Sequence, residues 1–396
     1  MPPAFTHTVP GPTETPRPSD TPTPAATPTS TVKYFSVEPE PSQMKSADMA
    51  GKFVLTGPGP YRHFLYDLQS REITELPGIR VDLTYVNPLG ISPDRTAFAY
   101  TEITSQGTIR VYVGTDAGKS IAPYPIPNEG EYVVVGWLDN SSIALADTRA
   151  TDGAIWVMSG TDGTLSQLIP PFPLVTDDGP LAWGGSYIYA HYNRARTHVV
   201  TARWIDNQAD VEPFVPMRYT YELWDADVPR LLWTAYGGGF SGPPVWNTSG
   251  EHFLVAFPPY RDVLDFSAFC AEVHVVSPSG LDRLLDDCSW PEGYSWSPDG
   301  ALVASWKGEQ GERRSDYRQL RVFDLEHNTV RRYAIRFDEH TLIGRPLPPI
   351  WSPDGRFLAF SELDESFGPL RSWVLDLETG DAGLLMSGTQ VEGWLR

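Results

Sequence analysis

Residues 351–363 read WSPDGRFLAFSEL, and the same pattern returns at 296–308 as WSPDGALVASWKG. Ser opens a turn, Pro fixes φ near −65° at its second position, and Asp then Gly complete a type I turn. The strand after it alternates, as in Phe357-Leu358-Ala359-Phe360, which suits a sheet packed on both faces. A third copy, ISPDRTAFAYTE at 91–102, lacks the Trp and the Gly. Weaker copies are WLDNSSIALADT at 137–148, WGGSYIYAHYN at 183–193 and WNTSGEHFLVAF at 246–257. Second hairpins follow at 109–119, 155–168, 320–333 and 372–385, so each repeat holds four strands.

Taking Ile91, Trp137, Trp183, Trp246, Trp296, Trp351 and Trp394 as equivalent gives spacings of 46, 46, 63, 50, 55 and 43 residues. Four-stranded repeats of ~40–50 residues are the pattern of a β-propeller. Residues 52–76 supply strands two to four of a repeat, and the final VEGWLR supplies only a first strand. The expected fold is therefore an all-β, seven-bladed propeller closed by the C-terminal strand joining the N-terminal blade. Six blades is the alternative if one weak repeat is an insertion. The recurring Trp residues belong to packing between blades rather than to a sugar-binding surface.

The WSPDG pattern resembles the repeat of TolB-type propellers, which also occurs in the propellers of prolyl oligopeptidases and dipeptidyl peptidases. The resemblance spans about 52–394. It implies an exported binding platform or a gate for a separate catalytic domain, and no hydrolase segment follows the last repeat here. Fold alone does not name an activity.

Ahead of this body, residues 1–31 carry nine Pro and nine Thr. Such a segment cannot bury enough apolar surface to offset its ordering entropy. Residues 1–35 are expected to form a disordered linker or stalk and 36–396 the propeller. In polyproline form the stalk reaches on the order of 90 Å, and Pro/Thr tracts suit O-glycosylated tethers outside the cell. The start, MPPAFTHTVP, has neither the basic nor the apolar region of a signal peptide. No apolar run approaches the ~18–20 residues of a membrane span.

The chain has 50 acidic and 30 basic residues among 396, a formal charge of −20, which disfavours nucleic acid and anionic lipid as partners. Its two cysteines flank CAEVHVVSPSGLDRLLDDC. A hairpin turning at Ser279 pairs 276 with 282, 274 with 284, 272 with 286 and 270 with 288. That register predicts a Cys270–Cys288 disulfide and an extracytoplasmic location in a bacterium.

Signatures of chemistry are missing. GGGFSG at 237–242 satisfies G-x-G-x-x-G but runs into Pro243-Pro244 with no helix to follow. The eight histidines show no metal-ligand spacing, and acidic pairs such as Asp177-Asp178 lack the order of a calcium loop. No metal and no cofactor is expected. Paired carboxylates for glycan cleavage remain open, because their separation is set by the fold.

The loops taken as joining second and third strands are GPGPYRH at 57–63, HYNRARTH at 191–198, FPPYRDVLDFSAF at 257–269, KGEQGERRSDYRQ at 307–319 and ELDESFGPLRS at 362–372. Several concentrate Tyr, Phe and Arg, the residue types enriched at binding hot spots. They predict a face for a protein or glycan partner made of Tyr61, Arg62, Tyr192, Arg194, Tyr260, Arg261, Phe266, Arg313 and Arg314. An insertion at 201–217 is expected to cap part of the channel. The first reading is a tethered, non-catalytic platform. The alternatives are a glycan hydrolase or lyase working at the channel mouth, and a structural part of a surface assembly.

Overall fold

A computed structural model describes residues 29–32, 49–57, 63–76, 89–103, 109–115, 122–125, 132–147, 155–168, 187–205, 218–228, 230–238, 244–257, 270–307, 317–336, 347–363 and 369–396. Every regular element among them is a strand. In chain order these are β1 (Thr29–Val32), β2 (Lys52–Thr56), β3 (His63–Asp67) and β4 (Ile73–Leu76), then β5 (Leu89–Ile91), β6 (Ala97–Ile103), β7 (Ile109–Thr115) and β8 (Ala122–Pro125). Next come β9 (Tyr132–Trp137), β10 (Ser142–Asp147), β11 (Ile155–Ser159) and β12 (Leu165–Leu168), followed by β13 (Tyr187–Tyr192), β14 (His198–Ile205), β15 (Arg218–Asp225) and β16 (Arg230–Gly238). The rest are β17 (Val245–Trp246), β18 (Phe253–Phe257), β19 (Ala271–Val276), β20 (Asp282–Trp296), β21 (Leu302–Lys307), β22 (Tyr317–Asp324), β23 (Thr329–Arg336), β24 (Ile350–Trp351), β25 (Phe357–Leu363), β26 (Pro369–Asp376), β27 (Ala382–Ser387) and β28 (Gln390–Leu395).

The strands build antiparallel four-stranded sheets. Unit I is β28-β2-β3-β4, unit II β5 to β8, unit III β9 to β12, unit IV β13 to β16 and unit VII β24 to β27. Units V and VI share one sheet because β20 runs unbroken, pairing β19 at one end and β21 at the other. In unit I, Lys52 faces Leu395, Phe53 faces Trp394 and Thr56 faces Gln390, so strands from opposite ends of the sequence are neighbours.

The apolar side chains lie between units. Val54 and Leu65 of unit I meet Phe98 and Tyr100 of unit II, and Val113 of unit II meets Ile143 of unit III. Leu138 of unit III meets Val199 of unit IV, and Leu223 meets Phe253 of unit V. Val273 meets Phe323 of unit VI, Tyr333 meets Trp351 of unit VII, and Phe357 meets Phe53 back in unit I. The first-strand Trp residues stitch these layers. Four of their indole N–H groups donate to a backbone carbonyl of the preceding unit: Trp137 to Gly90 at 2.9 Å, Trp246 to His191 at 2.8 Å, Trp296 to Val245 at 2.8 Å and Trp351 to Ser295 at 3.3 Å. A buried indole needs such an acceptor, so the repeated Trp is a packing residue with one fixed polar contact.

The SPDG turns form as their residues dictate. Ser297 Oγ donates to Asp299 Oδ1 at 2.5 Å and accepts from Leu302 N at 2.8 Å, and Gly300 N closes the turn on Ser297 O at 2.9 Å. Gly300 and Gly355 have φ of 75° and 74°, the left-handed region where an L side chain is strained.

Two expectations need correction. The first strand of unit IV is 187–192, so Tyr192 and not Trp183 holds the repeating position, and Trp183 lies outside the described residues. The spacings of 46 and 63 become 55 and 54. Residues 193–197 are then the turn from first to second strand, closed by Arg196 N on Asn193 O at 2.9 Å. Thr201–Ile205 of the expected insertion belong to β14. The signal failed because Asn193 and Arg196 stand where units VI and VII have Ser and Gly.

The second correction concerns the N-terminal segment. Thr29–Val32, expected within the disordered stalk, form β1, which pairs in parallel with β23 from Thr29↔Thr329 to Val32↔Arg332. An outermost strand carries a row of unpaired backbone groups that a β-branched segment can meet. The remainder of 1–48 lies outside the described residues.

Candidate functional site

Each four-stranded unit has two ends. Turns from first to second and from third to fourth strand gather at one, the turn end. Connections from second to third strand gather at the other, the loop end, and span 57–62, 104–108, 148–154, 206–217, 258–270, 308–316 and 364–368. Of the residues expected to form a binding face, Tyr61, Arg62, Tyr260, Arg261, Phe266, Arg313 and Arg314 belong to these connections and lie outside the described residues.

Tyr192 and Arg194 do not join them. Tyr192 is buried between units III and IV, where burial pushes its phenol up to about 12, and Arg194 is exposed on the turn end. Both were misplaced by the same shift of frame in unit IV.

What the described residues bring together at the loop end is a set of arginines, carboxylates and indoles at the roots of the connections 258–270, 308–316 and 364–368. Between units V and VI, the buried Arg321 on β22 forms an ion pair with Asp286 on β20 and donates to Cys288 O. Asp286 also accepts from Ser289 Oγ and, at 3.3 Å, from Cys288 N. Ser305 Oγ donates to Ser289 Oγ at 2.8 Å, extending the network onto β21. Burial lowers the Arg321 pKa, with Asp286 and Asp287 opposing that shift.

Cys270 and Cys288 are joined by a disulfide beside this pair. The hairpin keeps the expected 276↔282 and 274↔284 partners, then bulges so that Val273 faces Asp286 and Ala271 faces Ser289. The covalent bond pins the end of the connection 258–270 to β20.

Within unit VII, Arg371 on β26 grips Glu362 on β25 with two bonds, Nε to Oε2 at 2.7 Å and Nη2 to Oε1 at 2.8 Å. Trp373 Nε1 adds a third at 3.2 Å, and the Glu362 side chain is fully buried. Arg371 lies 5.6 Å from the Trp373 ring centroid, and Arg318 lies 5.5 Å from that of Trp290. Trp306 meets Phe360 edge to face at 5.4 Å. In unit I the loop end carries Thr56, whose Oγ1 donates to Glu392 Oε1 at 2.9 Å and sits 3.2 Å from His63 Nδ1. Gln390 Nε2 holds the same Glu392 oxygen at 2.8 Å.

Sequence reasoning singled out the arginines within the loops and missed those at the loop roots. Glu362 and Arg371 are nine positions apart and Asp286 and Arg321 thirty-five, so only strand register joins them. Among the described residues, no three His, Cys, Asp or Glu side chains gather as a metal set.

No family model and no curated protein matches the chain. Solved structures do. An oligogalacturonate lyase in complex with manganese is 12% identical, covers 86% of each chain and has a TM-score of 0.54. The β-propeller domain of the Trilobed protease from Pyrococcus furiosus, described as having an open velcro topology, is 11% identical. It covers 85% of this chain and 99% of that one, with a TM-score of 0.51. TolB from Acinetobacter baumannii is 14% identical over 72% of this chain and 67% of its own, at 0.43. At these identities the likeness shows a propeller-type fold and nothing of activity.

Proposed function

We propose that the chain is a closed, seven-bladed propeller that binds a protein or glycan partner on its loop end and catalyses no reaction. The pairing of β28 with β2 supports the closure. The apolar layers that lead from unit I through unit VII and back to unit I support the blade count. The Pro/Thr segment serves as a tether, and the Cys270–Cys288 bond fits an oxidising, extracytoplasmic compartment.

The observation that carries the non-catalytic reading is the state of two loop-end carboxylates, Glu362 and Asp286. Both oxygens of Glu362 and both of Asp286 are already engaged by arginine, indole, hydroxyl or backbone donors. Acid–base work on a glycosidic bond needs a carboxyl group with a position open to substrate. These pairs fix the strand ends that flank the connections 258–270, 308–316 and 364–368, and rigid flanking strands are what a binding loop requires. Tyr61, Arg62, Tyr260, Arg261, Phe266, Arg313 and Arg314 supply the contacts.

The test uses the full chain and its Tyr260→Ala/Arg261→Ala variant, each applied to a glycan array and to a solubilised bacterial envelope fraction. The expected result is a partner retained by the wild type and lost by the variant at unchanged melting temperature. Equal retention removes those two residues from the surface, and cleavage of oligogalacturonate by the purified wild type overturns the non-catalytic reading.

A further inference from the structure

The turn end carries a chain of contacts that passes from unit to unit. Asp94 N of unit II donates to Asn140 Oδ1 of unit III at 3.1 Å, and Asp139 of unit III pairs with Arg196 of unit IV at 3.2 Å. Asn193 Nδ2 of unit IV reaches Gly250 O of unit V at 3.4 Å. A Cβ placed on Gly300 of unit VI stands 3.1 Å from Asn247 of unit V, and one on Gly355 of unit VII stands 3.8 Å from Pro298 of unit VI. Neighbouring first turns are therefore bonded from unit II to unit V and lie close together from unit V to unit VII.

Unit I breaks the series because it has no such turn. Its first strand, β28, and its second, β2, come from opposite ends of the sequence. Where they would be joined the chain makes a tight approach, with Gly51, at φ 101°, placed so that a Cβ would stand 2.1 Å from Leu395 O, and Trp394 Nε1 donates to Ala50 O at 3.1 Å.

A side chain of unit II also reaches into this gap. Arg95 occupies the turn position that is Gly in units V, VI and VII, and it holds φ 59°. Its Nη1 donates to Trp351 O of unit VII at 2.6 Å and to Trp394 O of unit I at 3.3 Å. Its own carbonyl accepts from Arg396 N at 2.9 Å. A residue of unit II thus holds units VII and I together and caps the end of β28.

We propose that Arg95 is a clasp that stands in for the missing turn of unit I and keeps the C-terminal strand β28 seated on β2 of its own chain. The chemistry suits the task. A guanidinium carries several donors in one plane and satisfies two carbonyls at once, and charge-assisted bonds are the stronger kind. The acceptors are neutral carbonyls, so no carboxylate partner has to titrate for the clasp to hold. Arg196 occupies the equivalent turn position of unit IV and, among the described residues, reaches one neighbouring unit through an ion pair with Asp139. It is the internal control.

The inference rests on the closed-ring reading. The test is amide hydrogen exchange of Gln390–Leu395 in the full chain, compared among wild type, Arg95→Ala, Arg95→Lys, Arg95→Gly and Arg196→Ala. Losing two charged hydrogen bonds should speed exchange of the β28 amides by roughly tenfold or more. Lys should lie between, and Arg196→Ala should match wild type at β28. Arg95→Gly removes the clasp while relieving the positive φ, so it reads the clasp even if the Ala variant folds poorly. Protected β28 amides that ignore every change at Arg95 overturn the clasp, as does an equal effect from Arg196→Ala. Unprotected β28 amides already in the wild type overturn the ring reading instead.

Discussion

Units VI and VII keep the SPDG turn intact, whereas units II and IV keep its skeleton and lose its glycine. In the first pair the turn is self-contained, with Ser352 Oγ donating to Asp354 and accepting from Phe357 N, and Gly355 adding no side chain. In unit II the same bonds persist, Ser92 Oγ to Asp94 at 2.7 Å and Ala97 N to Ser92 Oγ at 2.9 Å, but the fourth position is an arginine. In unit IV, Asn193 Oδ1 takes over from serine by accepting His198 N at 3.0 Å. The turn is therefore fixed by an oxygen at its first position and by a residue tolerated at positive φ at its last. Glycine serves best where the turn only has to turn. Arginine at that site accepts strain of ~1–2 kcal/mol and uses its side chain to reach a neighbouring unit.

That contrast can be broken at several points. The largest effect should come from Trp351→Ala in an intact unit, which empties a buried indole site and removes its donor to Ser295. A loss of about 3–5 kcal/mol is expected in denaturant unfolding. At the corresponding position of unit IV, Tyr192→Phe should cost far less, because its hydroxyl is buried and finds no hydrogen-bond partner among the described residues. A loss at Tyr192→Phe as large as at Trp351→Ala would erase the distinction between intact and degenerate units.

Two histidines near the junction of units IV and V should pull stability in opposite directions with pH. Burial pushes His191 down to about 4, so the unfolded chain binds its proton first. Its contribution is present above the ordinary value near 6.5 and is lost as pH falls towards 4. For His274, burial acts to lower the pKa, and Asp282 at 2.6 Å with Glu272 at 3.5 Å more than offsets it, for a net rise. Its contribution is present below about 6.5 and is lost as pH rises through the folded value. Melting curves of His191→Phe and His274→Gln against wild type, taken from pH 4 to 8, should show these opposite slopes. Parallel slopes would contradict the assigned surroundings.

Smaller effects sharpen the turn comparison. Gly355→Ala has space, since the added Cβ meets only Pro298 at 3.8 Å, so its cost is that of the positive φ alone. About 1–2 kcal/mol is expected from thermal unfolding. Arg196→Ala removes an ion pair that is more than a third exposed on both sides and should cost under about 1 kcal/mol, shrinking further in high salt.

The first strands, the turns and the cysteine hairpin were legible in the sequence because each rests on local chemistry. Pro, Asp and Gly fix a turn within four residues, and the 276↔282 and 274↔284 partners follow from a tight turn at Ser279. Unit IV was not legible, because Tyr192 and Asn193 replace the Trp and Ser that mark the frame. The Leu285 bulge was hidden as well, since nothing in the residue types announces where an extra residue leaves a ladder. The Arg321–Asp286 and Arg371–Glu362 pairs depend on which strands lie side by side, and no local rule supplies that. The parallel pairing of β1 with β23 is the same kind of long-range fact.

The account stands most directly on the pairing of strands from opposite ends of the sequence. The residues to join are Thr56 and Gln390, which face each other in register on β2 and β28. A Thr56→Cys/Gln390→Cys variant, oxidised as a monomer and digested without reduction, should yield a mass-mapped 56–390 disulfide within a single chain. Free thiols at both positions, or a bond found only between two chains, would contradict it.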